Sequence, residues 1–135
     1  MKHLVSGILS AALLMPAGVS IATDGASEPQ VKAGFQAFEF RCESCHTTAH
    51  DGPDKLGPNL FGIVGRKSGA RPGFEYSPAL AGGKIVWDEA ALERFLSAPR
   101  DAVPGTLMIF SGLSQAEERA AIIAFLKRNS VSAKK

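Results

Sequence analysis

The sequence predicts an all-α fold of three to five helices joined by long loops. Three segments show helical apolar spacing or helix-capping residues, at 30–42, 88–98 and 114–128. Between the first two lies a stretch, residues 47–83, that is too rich in glycine and proline for a long helix or a regular sheet. Helices therefore flank an extended irregular segment.

The N-terminal residues 1–22 are expected to be a secretory signal peptide. A short basic start precedes an apolar run over residues 4–19, and small residues surround Ala22 at the positions that a signal peptidase recognises. An uncleaved membrane anchor is the alternative, which the helix-breaking Pro16 disfavours. Cleavage after Ala22 would leave a single exported domain.

The first helix is predicted from Gln30 to about Cys42, after a flexible N-terminus at residues 23–29. Apolar residues recur along it at helical spacing. Gly34 interrupts them, and a glycine inside a helix often marks a close approach of another backbone.

Two further helices are indicated by their ends. Asp88 is the expected N-cap of the second helix, which stops before Pro99. The last helix has a capping box at residues 114–117 and is expected to end near Lys127–Arg128, where positive charge suits the C-terminus. The folded domain would then span residues 30–129, with a C-terminal tail at 130–135.

The pentapeptide Cys42-Glu43-Ser44-Cys45-His46 carries the chemistry. Cys-x-x-Cys-His is the attachment signature of c-type haem. The two thiols can add across the two vinyl groups of the macrocycle, and His46 can then place a ring nitrogen under the iron. The apolar, loop-rich residues 47–83 would wrap around this one covalently bound haem c.

Two other interpretations of the pentapeptide are weaker. A redox-active disulfide is expected near a βαβ pattern, which the sequence lacks. A structural zinc site usually has four ligands. The chain has only two cysteines and three histidines, one of them His3 near the N-terminus.

The second axial ligand decides whether the iron conducts electrons or reacts. After signal cleavage, Met108 is the only methionine, and it lies in a turn-bearing loop between two helices. Met108 is therefore the favoured ligand, although most methionines are ordinary core residues. His50 is the rival ligand, but its closeness to His46 in sequence holds it on the same side of the ring.

The charge balance excludes one class of partner. The chain has 15 basic and 13 acidic residues and a formal net charge of +2. No basic stripe dominates the sequence, so nucleic acid is not an expected partner.

The chain resembles the class I cytochromes c over nearly all of residues 30–129. The resemblance rests on a series of ordered motifs, namely Cys42–His46, Gly57-Pro58-Asn59-Leu60, Gly65–Gly69, Pro72–Tyr76, Trp87 and Pro104–Phe110.

The resemblance implies a role for each residue near the iron. Cys42 and Cys45 would carry the thioethers, and His46 and Met108 would be the axial ligands. The carbonyl of Pro58 would accept a hydrogen bond from the other ring nitrogen of His46.

The resemblance also implies partners for a buried haem propionate. Tyr76 and Trp87 would donate hydrogen bonds to it, with Arg66 nearby to offset its charge. Two residues depart from the family. Phe95 stands where many members have a tyrosine and Leu80 where asparagine is common, so the Met108 side is less polar.

The family's basic ring around the haem edge is only partly retained. Arg41, Lys55 and Arg100 are basic, whereas Asp101 and Leu107 stand where lysine is frequent. Electrostatic steering towards an acidic partner is therefore expected to be weak.

The function implied is that of a monomeric, non-enzymatic electron carrier in the bacterial periplasm. Its donor would be a cytochrome bc complex or a periplasmic dehydrogenase. Its acceptor would be a terminal oxidase, a reductase or a photosynthetic reaction centre. The alternative is a small haem peroxidase or gas-binding sensor in which Met108 is a labile ligand.

Overall fold

The computed structural model describes residues 25–132. The expected signal peptide and its cleavage site lie outside these residues. The described chain forms helices α1 (Glu28–Arg41), α2 (Pro78–Ala81), α3 (Glu89–Ser97), α4 (Pro99–Ala102) and α5 (Ala116–Ser132). Within it there is no strand, only an isolated bridge between Lys67 and Val86. The predicted all-α fold is confirmed.

Helix α1 begins at Glu28, two residues before its predicted start. Ser27 is its N-cap and accepts a hydrogen bond from the backbone N–H of Gln30 at 3.4 Å. Pro29, in the first turn, has the φ angle that a helix start requires. The last residues of the expected flexible N-terminus are therefore helical.

Helices α1 and α5 cross at Gly34. A Cβ atom built on Gly34 would lie 2.5 Å from the carbonyl carbon of Ala121 and 3.0 Å from Cβ of Phe125. Phe38, one turn further along α1, packs its ring 5.5 Å from that of Phe125. The close backbone approach that Gly34 predicted is therefore present, and only glycine fits at this crossing.

Helix α3 follows the prediction, since Asp88 is its N-cap and accepts from Ala91 N–H at 2.7 Å. Helix α5 continues past its expected end at Lys127–Arg128. Ser130 is buried, accepting from Val64 N–H at 3.0 Å and donating to the carbonyl of Leu126 at 2.9 Å. These bonds explain why the helix continues into residues 130–132, which were expected to belong to the tail. The domain boundary after residue 129 stays a prediction.

The core lies where α5 packs against both α1 and α3, with residues of the irregular segment added to it. Its most buried side chain is Ile122, at 1% exposure. No described helix has the combination of length and apolar character that a membrane crossing requires.

Candidate functional site

The pentapeptide forms a tight turn directly after α1. The carbonyl of Cys42 accepts hydrogen bonds from the N–H groups of Cys45 at 3.0 Å and His46 at 2.9 Å. Both thiols are free. One turn of backbone therefore presents two thiols and one imidazole together.

These three side chains line a cavity of about 400 Å³, a size typical of cofactor pockets. The walls come from the turn, from the loops of residues 56–58, 74–77 and 106–110, and from Leu80 and Phe95. Met108 and His46 both line this cavity. The structure therefore brings the imidazole and the thioether to one cavity, as the sequence predicted.

The His46 ring is buried and oriented by the loop that follows it. Its Nδ1 lies 2.7 Å from the carbonyl oxygen of Pro58, so Nδ1 is the donor and Nε2 is left free for another partner. Gly57 donates its backbone N–H to the carbonyl of Cys45 at 2.8 Å, which ties this loop to the turn. The contact between His46 and Pro58 is the one implied by the resemblance.

Burial sets the ionisation of the turn. It lowers the pKa of His46, with Lys55 lowering it further and the Pro58 carbonyl opposing the change. It raises the pKa of Cys42 to about 11, helped by the negative charge of Glu118. A neutral imidazole can bind iron. A Cys42 thiol that stays neutral is a poor redox nucleophile, because the thiolate performs that task.

The alternatives to Met108 and to haem are not supported by the positions of the side chains. His50 is exposed, lies 2.8 Å from a carboxylate oxygen of Asp51, and is not among the residues lining the cavity. Within residues 25–132 no three His, Cys, Asp or Glu side chains are grouped so as to hold a metal ion together. In this part of the chain, the pair Cys42 and Cys45 therefore lacks the further ligands that a structural zinc site needs.

The loop that carries Met108 is held at its far end. Leu113 donates its N–H to the carbonyl of Leu96 at 2.8 Å, and its own carbonyl accepts from Nη1 of Arg119 at 2.6 Å. Arg119 also bonds Glu93 of α3 at 2.6 Å. That bond raises the pKa of Arg119, which stays charged.

Two of the expected propionate partners, Trp87 and Arg66, are not among the residues that line the cavity, and their role towards a propionate stays a prediction. Trp87 is buried and packs its ring 4.9 Å from Phe95, which does line the cavity. Arg66 donates to the carbonyls of Phe61 at 3.0 Å and Asn59 at 3.2 Å. Burial lowers the pKa of Arg66. The structure thus shows Arg66 bracing the loop next to Pro58, and its role towards a propionate stays a prediction.

Tyr76 does line the cavity, and its neighbour Ser77 is a site residue that the sequence analysis missed. The Ser77 hydroxyl is buried, and it has no hydrogen-bond partner among the described residues. A buried polar group without a partner is costly, so this oxygen indicates a missing polar ligand in the cavity. A haem carboxylate provides such a group. In the sequence, the only indication of this role was the position of Ser77 directly after Tyr76.

The loop between His46 and Arg66 is organised by Asn59, which is fully buried. Its amide nitrogen donates to Thr47 Oγ1 at 2.7 Å and to the carbonyl of Ala49 at 2.9 Å. Its amide oxygen accepts from Phe61 N–H at 2.8 Å. This network fixes the position of the adjacent Pro58.

The cavity fits one haem c by its chemistry. It offers two thiols and an imidazole from a single turn, a thioether from another loop, and a lone buried hydroxyl for a carboxylate. Fold and site together define a class of protein that attaches a haem covalently and encloses it within helices and long loops.

Comparison with known proteins identifies the family. Cytochrome c2 of Rhodomicrobium vannielii is 40% identical over 126 residues, covering 93% of this chain and 95% of its own. Cytochrome c of Sesamum indicum is 41% identical over 104 residues, covering 77% and 94%. Cytochrome c type-1 of Ascaris suum is 42% identical over 100 residues, covering 74% and 88%. No family model matches the chain.

The chain belongs to the cytochrome c family, as a class I cytochrome c with one covalent haem c. It is an electron carrier and not an enzyme. The resemblance inferred from the ordered motifs is therefore confirmed.

Proposed function

We propose that this cytochrome c is a periplasmic single-electron carrier whose axial ligands are His46 and Met108. The observation that carries the proposal is that one cavity receives both side chains. When bound, the haem supplies a one-electron iron couple, and a thioether ligand raises its reduction potential.

The chain's own residues support a site that stays closed. The Pro58 carbonyl at 2.7 Å from Nδ1 holds the His46 ring with Nε2 available. Leu113, Leu96 and Arg119 anchor the end of the Met108 loop. A ligand on an anchored loop costs less to keep in place, which favours electron transfer over reaction with an added ligand.

Export to the periplasm is supported by the extent of one match. The cytochrome c2 relative aligns with 126 residues of this chain, whereas only 113 would remain after cleavage at Ala22. The similarity therefore extends into the predicted signal peptide. A cytochrome bc complex or periplasmic dehydrogenase would be the donor, and an oxidase, a reductase or a reaction centre the acceptor.

The visible absorption spectrum of the holoprotein tests the ligand set. We expect a six-coordinate low-spin haem with a methionine–iron charge-transfer band. Met108→Ala should abolish that band and allow carbon monoxide to bind rapidly, whereas the matched variant His50→Gln should keep it. A high-spin wild-type spectrum would instead support the peroxidase or sensor. A low-spin wild-type spectrum without that band, which becomes high-spin in His50→Gln, would assign the ligand to His50.

The mass of the protein from a periplasmic extract tests export. A chain beginning at Thr23 with one haem is expected. A full-length chain in the membrane fraction would indicate an uncleaved anchor.

A further inference from the structure

A carboxylate outside the cavity lies at one end of a row of hydrogen bonds that leads to His46. Asp54 Oδ1 accepts from the backbone N–H of Asn59 at 2.6 Å. The carbonyl of the same peptide group, which belongs to Pro58, lies 2.7 Å from Nδ1 of His46. We call this group, the Pro58 carbonyl with the Asn59 N–H, the relay peptide. Neither Asp54 nor Asn59 is among the described residues that line the cavity.

The geometry of the relay peptide suits it to transmit the effect of a charge. The described chain contains no cis peptide bond, so the carbonyl oxygen and the N–H of this group point in opposite directions. Hydrogen bonds in a row polarise one another. An anion at the N–H end therefore increases the negative charge on the carbonyl oxygen, which then accepts more strongly from Nδ1 of His46.

Little water competes for these hydrogen bonds. Asn59 is fully buried, and the His46 ring is buried as well. The Asp54 side chain is 27% exposed. Hydrogen bonds to a charged group are stronger than neutral ones, and the low dielectric of a protein interior strengthens them further. The charge of Asp54 is therefore only weakly screened from the relay peptide.

Arg71 moderates the charge of Asp54. Its Nε lies 3.1 Å from Oδ1 and 3.5 Å from Oδ2 of Asp54, and its Nη2 donates to the carbonyl of Gly52 at 3.2 Å. Oδ1 is thus shared between the guanidinium and the N–H of the relay peptide. Because the guanidinium draws negative charge away from this oxygen, Arg71 and Asp54 act on the relay peptide with opposite sign.

We propose that Asp54 is a positioning residue that acts on His46 through the relay peptide. The inference rests on the proposed function, in which His46 is an axial ligand. A stronger hydrogen bond from Nδ1 makes the ring more basic, and a more basic ring is a better ligand for ferric iron. Asp54 therefore lowers the reduction potential, against the rise that a thioether ligand causes. Arg71 limits the size of this effect.

A purely structural role for the ion pair predicts a different outcome. The pair also ties the segment before Pro58 to the loop that leads to Tyr76, which lines the cavity. If that tie were its whole role, Asp54→Asn and Arg71→Gln would loosen the same contact and change the holoprotein in the same direction. The relay peptide predicts changes in opposite directions.

NMR of the reduced holoprotein measures the effect at His46 itself. Asp54→Asn keeps an acceptor oxygen but removes the charge, so we expect it to shift the Nδ1–H resonance of His46 upfield. Arg71→Gln should shift that resonance downfield, and Arg71→Lys should leave it near its wild-type position. Asp51→Asn is the matched control, because it removes one exposed carboxylate from the same segment, and it should not move the resonance.

The midpoint potential of the same variants is the second measurement. We expect Asp54→Asn to raise it enough to change the ratio of reduced to oxidised protein about threefold at a fixed applied potential, as for the loss of part of one hydrogen bond. Arg71→Gln should lower the potential. Asp51→Asn should change it much less than Asp54→Asn does.

Three results would overturn the inference. One is an unmoved Nδ1–H resonance in Asp54→Asn, even with a changed potential, since that would be a field effect that bypasses the relay peptide. The others are shifts of the same sign in Asp54→Asn and Arg71→Gln, and a shift in Asp51→Asn as large as that in Asp54→Asn. If Asp54→Asn does not form a holoprotein, an Arg71→Gln resonance that is unmoved or moves upfield would overturn it.

Failure of the proposed function has a separate signature in the wild type. The methionine–iron band would be absent from the visible spectrum, or the ring protons of His46 would lack the large shift of a haem-bound imidazole. A wild type with both features, combined with an unresponsive Nδ1–H resonance in the variants, would contradict the role of Asp54 alone.

Discussion

Gly57 and the ring of His46 are packed so closely that no side chain fits between them. A Cβ atom at Gly57 would lie 2.7 Å from both Nδ1 and Nε2 of His46. The same ring is held from Nδ1 by the Pro58 carbonyl, one residue further along. A single Gly-Pro step therefore both makes room for the imidazole and orients it.

Gly57→Ala should displace the His46 ring and weaken the site. Overpacking at a rigid contact costs about 2 kcal/mol of folding free energy. Guanidinium unfolding of the holoprotein and its visible spectrum measure the two effects. Gly82→Ala is the matched control, because a Cβ there meets only the Lys84 side chain at 3.7 Å. Equal stability of the two variants would contradict the prediction.

Gly34→Ala should separate α1 from α5. The new Cβ would overlap the backbone of Ala121, which cannot yield as a flexible side chain does. We expect a loss of about 3 kcal/mol in the free energy of unfolding. Gln36→Ala, an exposed position of the same helix, should change it little. A stable Gly34→Ala variant would show that the crossing can adjust.

Asn59→Ala should loosen the loop that carries Pro58. It leaves the N–H of Phe61 without its partner and removes the hydrogen bonds from the amide nitrogen to Thr47 Oγ1 and to the carbonyl of Ala49. Together these losses should cost about 3 kcal/mol. Chemical unfolding measures the loss. Asn129→Ala removes only one long hydrogen bond, of 3.5 Å to the carbonyl of Thr48, and should have a much smaller effect. Similar losses in both variants would mean that the network is not what holds the loop.

The Ser77→Ala variant tests whether the Ser77 hydroxyl forms a hydrogen bond with a haem carboxylate. If the Ser77 hydroxyl bonds a haem carboxylate, its removal should lower the stability of the holoprotein by about 1 kcal/mol. Ser77→Thr keeps the hydroxyl and should retain most of that stability. An alanine variant as stable as the wild type would show that the hydroxyl has no partner when haem is attached, since removing an unpaired buried group is not costly.

Acid should destabilise the folded protein through His46. Burial places the folded-state pKa of His46 below its ordinary value of 6.5, so between the two values the unfolded chain binds more protons. This contribution to stability is present above pH 6.5 and is lost as the pH falls towards the lowered pKa. Coordination of the other ring nitrogen has the same sign.

The expected slope is at most about 1.4 kcal/mol per pH unit, above the range near pH 4 where carboxylates titrate. Unfolding with guanidinium at a series of pH values measures it. His50→Gln, which changes an exposed histidine, should leave the slope in place. Flat stability from neutral pH down to about pH 5 would contradict the prediction.

The close packing of α1 and α5 is an example of a tertiary contact that the local sequence pattern predicted. Gly34 predicted a close backbone approach because a glycine within a helix is otherwise unfavourable. Asp88 predicted the start of α3 for a similar reason, since a cap acts within one turn. The start of α1 at Glu28 was two residues off because the cap Ser27 had been assigned to a flexible segment.

The local sequence pattern could not predict the hydrogen-bond partners of Arg66 or the lack of a partner for the Ser77 hydroxyl. Arg66 donates hydrogen bonds to the carbonyls of Phe61 and Asn59. The tertiary folding of the loop decides which carbonyls lie within reach of its guanidinium group. The isolation of the Ser77 hydroxyl results from the same folding, which removes water without supplying a protein partner.

Sequence alone was enough for the chemistry of attachment, because Cys42, Cys45 and His46 lie within one turn and their spacing acts locally. It was also enough for the all-α class, and it predicts Met108 as the second ligand because no other methionine remains after signal cleavage. The tertiary structure decided which side chains share the cavity, which loop orients His46, and which polar groups near it find partners. Those properties depend on contacts between residues far apart in the chain, where long loops leave many arrangements open until they pack.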